Sequence, residues 1–252
     1  MNLLLLEPGE LAGDTATVSD RRAAHLRAVL GAGIGARVRA GVVGGGAGTA
    51  EVIADDGAAL TLRLELAEPA PPPLPIELVL AVPRPKVLSR TIEIAAAFGV
   101  ERIALTNAWR VDKSYLSSPR VAPAALALAA RLGAEQGATT HVPPIALHRR
   151  LMELLDGRWP TPDAPPRTKL LAHPGGLPME DAIDDARGAG AGAAGPIALA
   201  IGPEGGWIAR EVDTFAARGW SLVSLGAPIL RVEAAVVSAL GQLALLRRLA
   251  PA

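Results

Sequence analysis

Two hydrophobic patterns divide the chain, and they meet at a proline-rich stretch. Apolar and polar side chains alternate in three early segments, residues 36–43, 49–54 and 60–66. This period of two predicts half-buried strands, joined in part by the glycine turn at 44–48. Beyond residue 75 the apolar positions form short continuous runs between helical patterns, which predicts a parallel sheet covered on both faces. The stretch between them, residues 67–75, holds five prolines in nine positions and is typical of an extended spacer.

The sequence therefore predicts two domains, residues 1–70 and 76–252. One helix is expected in the first domain, at residues 20–30, with Asp20 as its N-cap. The second domain has strand patterns at residues 76–82, 103–106, 169–172, 197–201 and 222–225. Its helix patterns cover residues 85–98, 123–136 and 232–246. Gly99 ends the first of these helices, and the last presents Val232, Val236, Leu240 and Leu243 on one face.

Composition narrows the class of protein. Half of the residues are hydrophobic, which suffices for a packed core, yet no apolar run reaches the roughly 20 residues of a membrane span. The N-terminal MNLLLLE lacks the basic residues of a signal peptide. The absence of cysteine and four scattered histidines argue against disulfides, thiolate chemistry and a zinc site. We therefore expect a soluble, cytoplasmic protein without a membrane segment or a metal.

Charge is unevenly distributed although the formal net charge is zero. Residues 1–75 carry six arginines against nine acidic groups, whereas residues 76–120 carry seven basic against four acidic groups. A polyanion would therefore be attracted to the second region. The candidate phosphate-binding cations are Arg84, Lys86, Arg90, Arg110 and Lys113. A solvated helix and loop surface explains any one of them equally well.

Two glycine-rich segments resemble ligand-binding loops, and one of them fits the expected context. GAGIGA at residues 31–36 follows a helix pattern rather than a strand, so it is interpreted as a turn. AIGPEGGW at residues 200–207 directly follows a buried strand and opens a helix. Such a loop lets a ligand approach the backbone and its unpaired amides. Glu204 at its tip would repel a pyrophosphate, which favours a nucleoside-like ligand instead.

A second segment, residues 224–246, repeats this order of strand, glycine turn and apolar helix. Arg231 and Glu233 are the only charges between Arg218 and Arg247. Charges inside an apolar run are costly unless they are paired or functional. A salt bridge between the two, or from one of them to Glu204 or to a neighbouring subunit, is the structural alternative.

These two segments resemble the signature of the SPOUT superfamily, and more closely that of the RsmE family of ribosomal RNA uracil-N3 methyltransferases. The matching residues are 201–206 (IGPEGG) and 224–235 (SLGAPILRVEAA). Weaker similarity covers residues 24–40, 95–105, 133–145 and 173–176 in collinear order. The chain departs from the family pattern at Gly31, Ile94, Ala97, Val232 and Ala234, but not in the glycine-rich loop, Arg231 or Glu233.

The resemblance implies an α/β fold: a C-terminal SPOUT trefoil-knot methyltransferase domain preceded by a PUA-like β-barrel domain. It further implies S-adenosylmethionine as cofactor and homodimerisation through the C-terminal helix. The cofactor-binding residues it implies are His173, Ile201, Gly202, Glu204, Gly205, Leu225, Gly226, Ile229 and Leu230.

The expected reaction is methylation of N3 of a specific uridine in 16S ribosomal RNA, in the assembled small subunit. In this interpretation Arg231 stabilises negative charge on the uracil carbonyls. Glu233 either orients Arg231 or accepts the proton from N3.

Three alternatives remain open. A related SPOUT enzyme could methylate another RNA atom, such as a ribose 2′-oxygen. A non-catalytic RNA-binding or assembly factor could share the fold. A nucleotide-binding oxidoreductase is disfavoured, because no GxGxxG follows the first strand of the second domain.

Overall fold

The computed structural model describes residues 1–166, 168–188 and 195–249, and the chain divides into two compact units. The first unit comprises Met1–Pro73 together with Arg131–Val142, and the second comprises Leu74–Ala130 and Pro143–Ala252. The division after the spacer follows the change in hydrophobic pattern. The return of a twelve-residue segment to the first unit has no counterpart in the predicted boundaries, because it interrupts the second pattern without any spacer.

The first unit is built on a six-stranded sheet together with the helix α1 (Arg21–Ala28). Its strands are β1 (Leu4–Leu6), β2 (Leu11–Ala12), β3 (Thr15–Val18), β4 (Arg37–Val42), β5 (Ala47–Asp55) and β6 (Leu60–Glu68). In space they run β1-β4-β5-β6-β3-β2, with β1 parallel to β4 and every other pair antiparallel. Asp20 caps α1 as predicted, accepting a hydrogen bond from the Arg22 amide at 2.8 Å.

The N-terminal leucine run forms a strand that is buried on both faces. Leu4 and Leu6 pack into the main core of the first unit, whereas Leu3 and Leu5 pack against Ala134 on the other side. All four leucines are at most 1 % exposed. A strand covered on both sides needs no polar alternation, which is why the period-two pattern did not reveal β1.

The segment Arg131–Val142 is tied to the first unit by backbone and side-chain bonds. The Glu135 carbonyl accepts from the amide of Leu3 at 3.0 Å, and the buried Glu135 carboxylate accepts both guanidinium nitrogens of Arg21, at 2.7 and 2.9 Å. Arg131 donates to the Leu5 carbonyl at 2.7 Å. The bidentate ion pair between Arg21 and the buried Glu135 carboxylate explains why this end of α3 packs with the first unit.

The second unit is an α/β layer structure around a six-stranded sheet. Its strands are β7 (Leu74–Ala81), β8 (Val100–Thr106), β9 (Ile145–His148), β10 (Thr168–Pro178), β11 (Ile197–Ile201) and β12 (Ser221–Ser224). Its helices are α2 (Pro85–Ala97), α3 (Pro123–Gly137, ending in the first unit), α4 (Leu151–Arg158), α5 (Met179–Gly188), α6 (Ala209–Ala216) and α7 (Val232–Leu249). All five strand pairings, in the order β12-β10-β11-β7-β8-β9, are parallel, as predicted.

Agreement with the predicted elements is closest where a run is fully apolar. Strand β11 has the predicted bounds, and α2 ends before Gly99, whose φ of +73° is the left-handed conformation expected of a C′ glycine. Strand β10 is longer than the predicted residues 169–172 and is interrupted by a register shift between Ala172 and Leu177. The short elements β9, α4 and α5 were not predicted.

The apolar face predicted on the last helix is covered within the unit. Val232, Val236, Leu240 and Leu243 are at most 4 % exposed, and α7 packs against α2 and β11. The chain's own helix and strand occupy this face, so the homodimerisation through the C-terminal helix that the resemblance implies would need another surface of α7. The predicted helix is present and extends three residues further, to Leu249.

Among the helices of the described residues, none is both long and apolar enough to cross a membrane. Over the same part of the chain, no group of three or more His, Cys, Asp or Glu side chains could hold a metal ion.

Candidate active site

The loops singled out from the sequence meet at one edge of the second sheet. Because the strands are parallel, their carboxyl ends lie on the same side. The bulge within β10 begins at His173, and the loops after β11 and β12 begin at Gly202 and Leu225. These three strands are direct neighbours. The loops after β7 and β8 carry Arg84 and Arg110 at the same edge. The strand order reverses between β7 and β11, which is where open α/β sheets bind ligands.

The glycine-rich loop after β11 is a tight turn. The Gly206 amide donates to the Pro203 carbonyl at 2.8 Å, and Gly206 has a φ of +72°. A Cβ on Gly202 would meet the indole ring of Trp207 at 3.1–3.2 Å. The loop therefore needs glycine at both positions, one for its backbone conformation and one because a buried indole occupies the space.

Four aromatic rings support this turn from inside the unit. Trp207, Phe215, Trp220 and Trp159 form a chain of edge-to-face contacts with centroid separations of 5.0–5.1 Å. All four side chains are at most 5 % exposed. Packing of this kind adds to the area buried and holds the loop on a rigid base.

Glu204 is fastened to the start of α2. One of its carboxylate oxygens, Oε1, accepts a hydrogen bond from the backbone amide of Arg84 at 2.9 Å. Arg84 is the N-cap residue of that helix, followed by Pro85. The carboxylate thus joins the loops after β11 and β7, a role that the position at the tip of the loop did not indicate.

Arg110 covers the same loop from the β8 side. Its guanidinium donates to the Gly205 carbonyl, and its side-chain carbons lie 3.0–3.6 Å from the position of a Cβ on Gly205. Arg110 is exposed, as a phosphate-binding residue would be, but it also contacts the glycine-rich loop directly.

Glu211 is a site residue that the sequence analysis missed. The residue is 9 % exposed, and its carboxylate accepts hydrogen bonds from two backbone amides, those of Trp109 at 2.7 Å and Ile208 at 3.0 Å. The bond to Ile208 caps α6, and the bond to Trp109 anchors the loop after β8. Its position three residues after Ile208 is the spacing of a helix-capping glutamate and could have indicated the first bond.

Residues 173–176 leave the sheet and return to it. Ala172 and Leu177 both pair with Val223, so the four residues between them bulge out. The Gly175 amide donates to His173 Nδ1 at 3.1 Å, which turns the bulge. A Cβ on Gly176 would lie within 3.0 Å of backbone atoms of Val223 and Leu222, so two stretches of chain cross closely here.

The loop after β12 presents backbone and one apolar side chain to solvent. Gly226 has a φ of +116°, and its amide lies 3.3 Å from Ser224 Oγ. The Leu225 carbonyl accepts from Gln242 Nε2 at 3.4 Å, which links the loop to α7. Ile229 is 94 % exposed, and Leu230 is half-buried.

Arg231 and Glu233 stand at the start of α7. The Arg231 carbonyl accepts from the Ala235 amide at 2.8 Å, and the Arg231 side chain is exposed, whereas Glu233 is half-buried in the first turn. Within the described ranges, no ion pair joins Arg231 to Glu233 or to Glu204. The intramolecular salt bridge considered from the sequence is therefore not formed there.

The five candidate phosphate-binding cations are all exposed, and they lie in two places: Arg84, Lys86 and Arg90 at the start of α2, and Arg110 and Lys113 after β8. As far as the structure describes the chain, none of them forms an ion pair with a carboxylate. Their charge is therefore open to solvent rather than neutralised in the fold.

Comparison with known proteins agrees with this arrangement. The family model described as RNA methyltransferase domain matches residues 70–244. A curated relative, the ribosomal RNA small subunit methyltransferase E of Treponema pallidum, is 28 % identical over 242 residues, which cover 95 % of this chain and 89 % of the relative.

A solved structure of ribosomal RNA small subunit methyltransferase E from Neisseria gonorrhoeae, bound to S-adenosylmethionine, superposes with a TM-score of 0.76. The two sequences are 23 % identical, and the superposition covers 98 % of each chain, so the similarity is one of fold. The family match begins shortly before β7 and ends within α7, so it includes all the loops described above. The chain belongs to the RNA methyltransferase domain family, and the resemblance drawn from its two motifs is confirmed at that level.

Proposed function

We propose that this chain transfers a methyl group from S-adenosylmethionine to N3 of a uridine in the ribosomal RNA of the small subunit. The observation that carries the proposal is the meeting of three glycine-containing loops with Arg231 at the carboxyl edge of neighbouring parallel strands. The Treponema pallidum relative is named a ribosomal RNA small subunit methyltransferase, and the Neisseria gonorrhoeae structure was solved bound to S-adenosylmethionine.

The loops fit this cofactor in their chemistry. S-adenosylmethionine has a base edge, ribose hydroxyls and an amino-acid moiety but no phosphate, so backbone donors and acceptors suit it better than a cluster of cations. Gly205 and Gly226 leave backbone exposed in two of the loops. The residues that would hold it are His173, Ile201, Gly202, Gly205, Leu225, Gly226, Ile229 and Leu230. Glu204 would act on the loop itself, because its Oε1 is bonded to the Arg84 amide.

The chain's own residues would then act on the RNA base. When bound, the cofactor supplies an electrophilic methyl carbon on a cationic sulfonium. A uracil turned out of its base pair presents N3, which loses its proton and bonds to the methyl carbon while the carbon–sulfur bond breaks and a neutral thioether leaves. Loss of the proton places negative charge on the two uracil carbonyl oxygens before the bond is complete, and the exposed guanidinium of Arg231 stabilises it. Glu233, in the first turn of the apolar α7, orients that guanidinium or accepts the proton.

We extend the proposal to the finer features of the fold. The bulge at residues 173–176 and the close crossing of Gly176 over β12 support a trefoil knot in the second unit. The six-stranded, mostly antiparallel sheet with the short helix α1 supports a PUA-like barrel in the first unit. A ribosomal substrate would place the reaction in the cytoplasm, in the assembled small subunit.

A homodimer remains part of the proposal, but it needs another surface than the buried face of α7. Val237 and Leu245 are 44 % and 45 % exposed and stand eight residues apart on that helix, with Gly241 between them. Spacing by four residues places the three on one stripe, which supports α7 as a dimer contact.

Arg231 provides the test of this function. Arg231→Ala is expected to reduce methyl transfer at least about 100-fold, the effect of removing a donor that stabilises developing charge. Calorimetry should show S-adenosylmethionine binding within about twofold of wild type, since the loops are untouched. Arg231→Lys, which keeps the charge but not the planar fork, should recover only part of the rate. Absence of cofactor binding by the wild-type chain would contradict the function, and unchanged turnover in Arg231→Ala would contradict the assigned role.

A further inference from the structure

Trp109 differs from the other tryptophans of the chain. It is 79 % exposed, whereas Trp159, Trp207 and Trp220 are at most 5 % exposed. Aromatic residues make up only 3 % of the sequence. A single exposed apolar side chain is common on protein surfaces, so exposure alone carries no conclusion.

Two hydrogen bonds and the burial of the flanking residues hold the backbone of Trp109 in place. The Val111 amide donates to the Ala108 carbonyl at 3.0 Å, which makes Trp109 and Arg110 the two central residues of a turn. Ala108 and Val111, at its ends, are 6 % and 7 % exposed. The buried Glu211 carboxylate accepts the Trp109 amide at 2.7 Å. An exposed indole on a fixed backbone is a preorganised surface, because little conformational freedom is lost when a ligand packs on it.

Charge around this turn favours a polyanion. Arg110 follows Trp109 directly and covers Gly205 of the glycine-rich loop. Glu204, the residue before Gly205, is bonded to the amide of Arg84, so the α2 start with Arg84 and Lys86 adjoins the same loop. All three cations are exposed. A flat aromatic ring among exposed cations is the combination that binds single-stranded nucleic acid, by stacking of bases and attraction of phosphates.

We infer that Trp109 is a stacking surface for an unpaired base of the RNA substrate, next to the nucleotide that is methylated. The inference rests on the proposed function for the position of the target base. It assigns Trp109 to binding and positioning of RNA, and not to the methyl-transfer step. Trp109 should thus affect the KM for RNA more than turnover.

The probe is a fluorescein-labelled, single-stranded 12-nucleotide RNA, with binding followed by anisotropy at several salt concentrations. Trp109→Ala should weaken binding about 5- to 100-fold, and Trp109→Phe less than about threefold, because a phenyl ring still stacks. Met152→Ala, which removes a 44 % exposed side chain on α4, is the matched control and should bind like wild type. The salt dependence should be the same in all variants, since none of them removes a charge.

Tryptophan emission gives a second readout. Because the other three tryptophans are buried, quenching by the RNA should occur in wild type and be largely lost in Trp109→Phe. Equal RNA affinity of wild type and Trp109→Ala would overturn the inference. So would dissociation of a dimer by Trp109→Ala with RNA affinity unchanged, because the indole would then contact a second copy of the chain.

Failure of this inference is distinguishable from failure of the proposed function. Methyl transfer by the wild type together with unaltered RNA binding by Trp109→Ala removes the inference and leaves the function. RNA binding that depends on Trp109 without any methyl transfer removes the function and supports Trp109 as a stacking surface for RNA.

Discussion

Substitution of Glu211 tests whether one buried carboxylate holds the loops of the site together. It accepts the amides of Trp109 and Ile208, at 2.7 and 3.0 Å, and is 9 % exposed. A hydrogen bond to a charged group contributes about 1.5–3 kcal/mol to stability. Glu211→Gln keeps one oxygen acceptor and places an NH₂ donor opposite the other amide. Its free energy of unfolding should therefore fall by about the contribution of one such bond. Glu211→Ala removes both hydrogen bonds and should lower the free energy of unfolding by about 2–4 kcal/mol. The loss is less than two full bonds because water can solvate the Trp109 amide in the exposed turn.

Urea unfolding followed by tryptophan emission measures this loss in the relevant unit. All four tryptophans belong to the second unit, so the signal reports that unit alone. Asp213→Asn, which neutralises an exposed carboxylate on the same helix, is the matched control and should change the unfolding free energy by less than about 0.5 kcal/mol. Hydrogen exchange of the Trp109 amide should accelerate in Glu211→Gln. Equal stability of Glu211→Gln and Asp213→Asn, with the Trp109 amide still protected, would refute the reasoning.

Two further predictions concern the close crossing and the first unit. Gly176→Ala should lower the unfolding free energy by about 2 kcal/mol or more, because its Cβ would lie within 3.0 Å of β12 backbone atoms. Gly175→Ala is the control. Its Cβ would lie 3.5 Å from His173 Nδ1, so it should be nearly neutral in the same assay. The hydrogen bond from Arg22 lowers the pKa of Glu10, so this carboxylate stabilises the fold above its unfolded pKa, and the contribution is lost as the pH falls through the folded value. Glu10→Gln should thus be less stable than wild type at pH 7 by urea unfolding followed by circular dichroism, with the difference shrinking below about pH 4.5; a difference independent of pH would contradict the linkage.

The parts of the fold that could be predicted are those where local pattern and final environment agree. Strand β11 is apolar throughout and lies between two other strands, so the run of residues 197–201 marks its bounds directly. Proline at the start and Gly99 at the end mark α2 in the same local way. These signals depend on few residues and need no tertiary information.

The parts that could not be predicted depend on contacts between residues far apart in sequence. The leucines of β1 are explained only by the segment around Ala134, which covers their second face. The carboxylates of Glu204 and Glu211 bind amides 120 and 102 residues away, so no spacing could reveal them. The apolar stripe of α7 predicts burial correctly, but a pattern cannot tell whether the partner is the same chain or a second one.

The central claim is that the loops at the carboxyl edge of the second sheet direct a methyl group to uracil N3. Transfer of a radiolabelled methyl group from S-adenosylmethionine to unmethylated small ribosomal subunits, followed by digestion and separation of nucleosides, tests it directly. We expect one labelled nucleoside, N3-methyluridine, at no more than one methyl group per subunit. Label in a 2′-O-methylated nucleoside, or no transfer by a chain that binds the RNA, would contradict it.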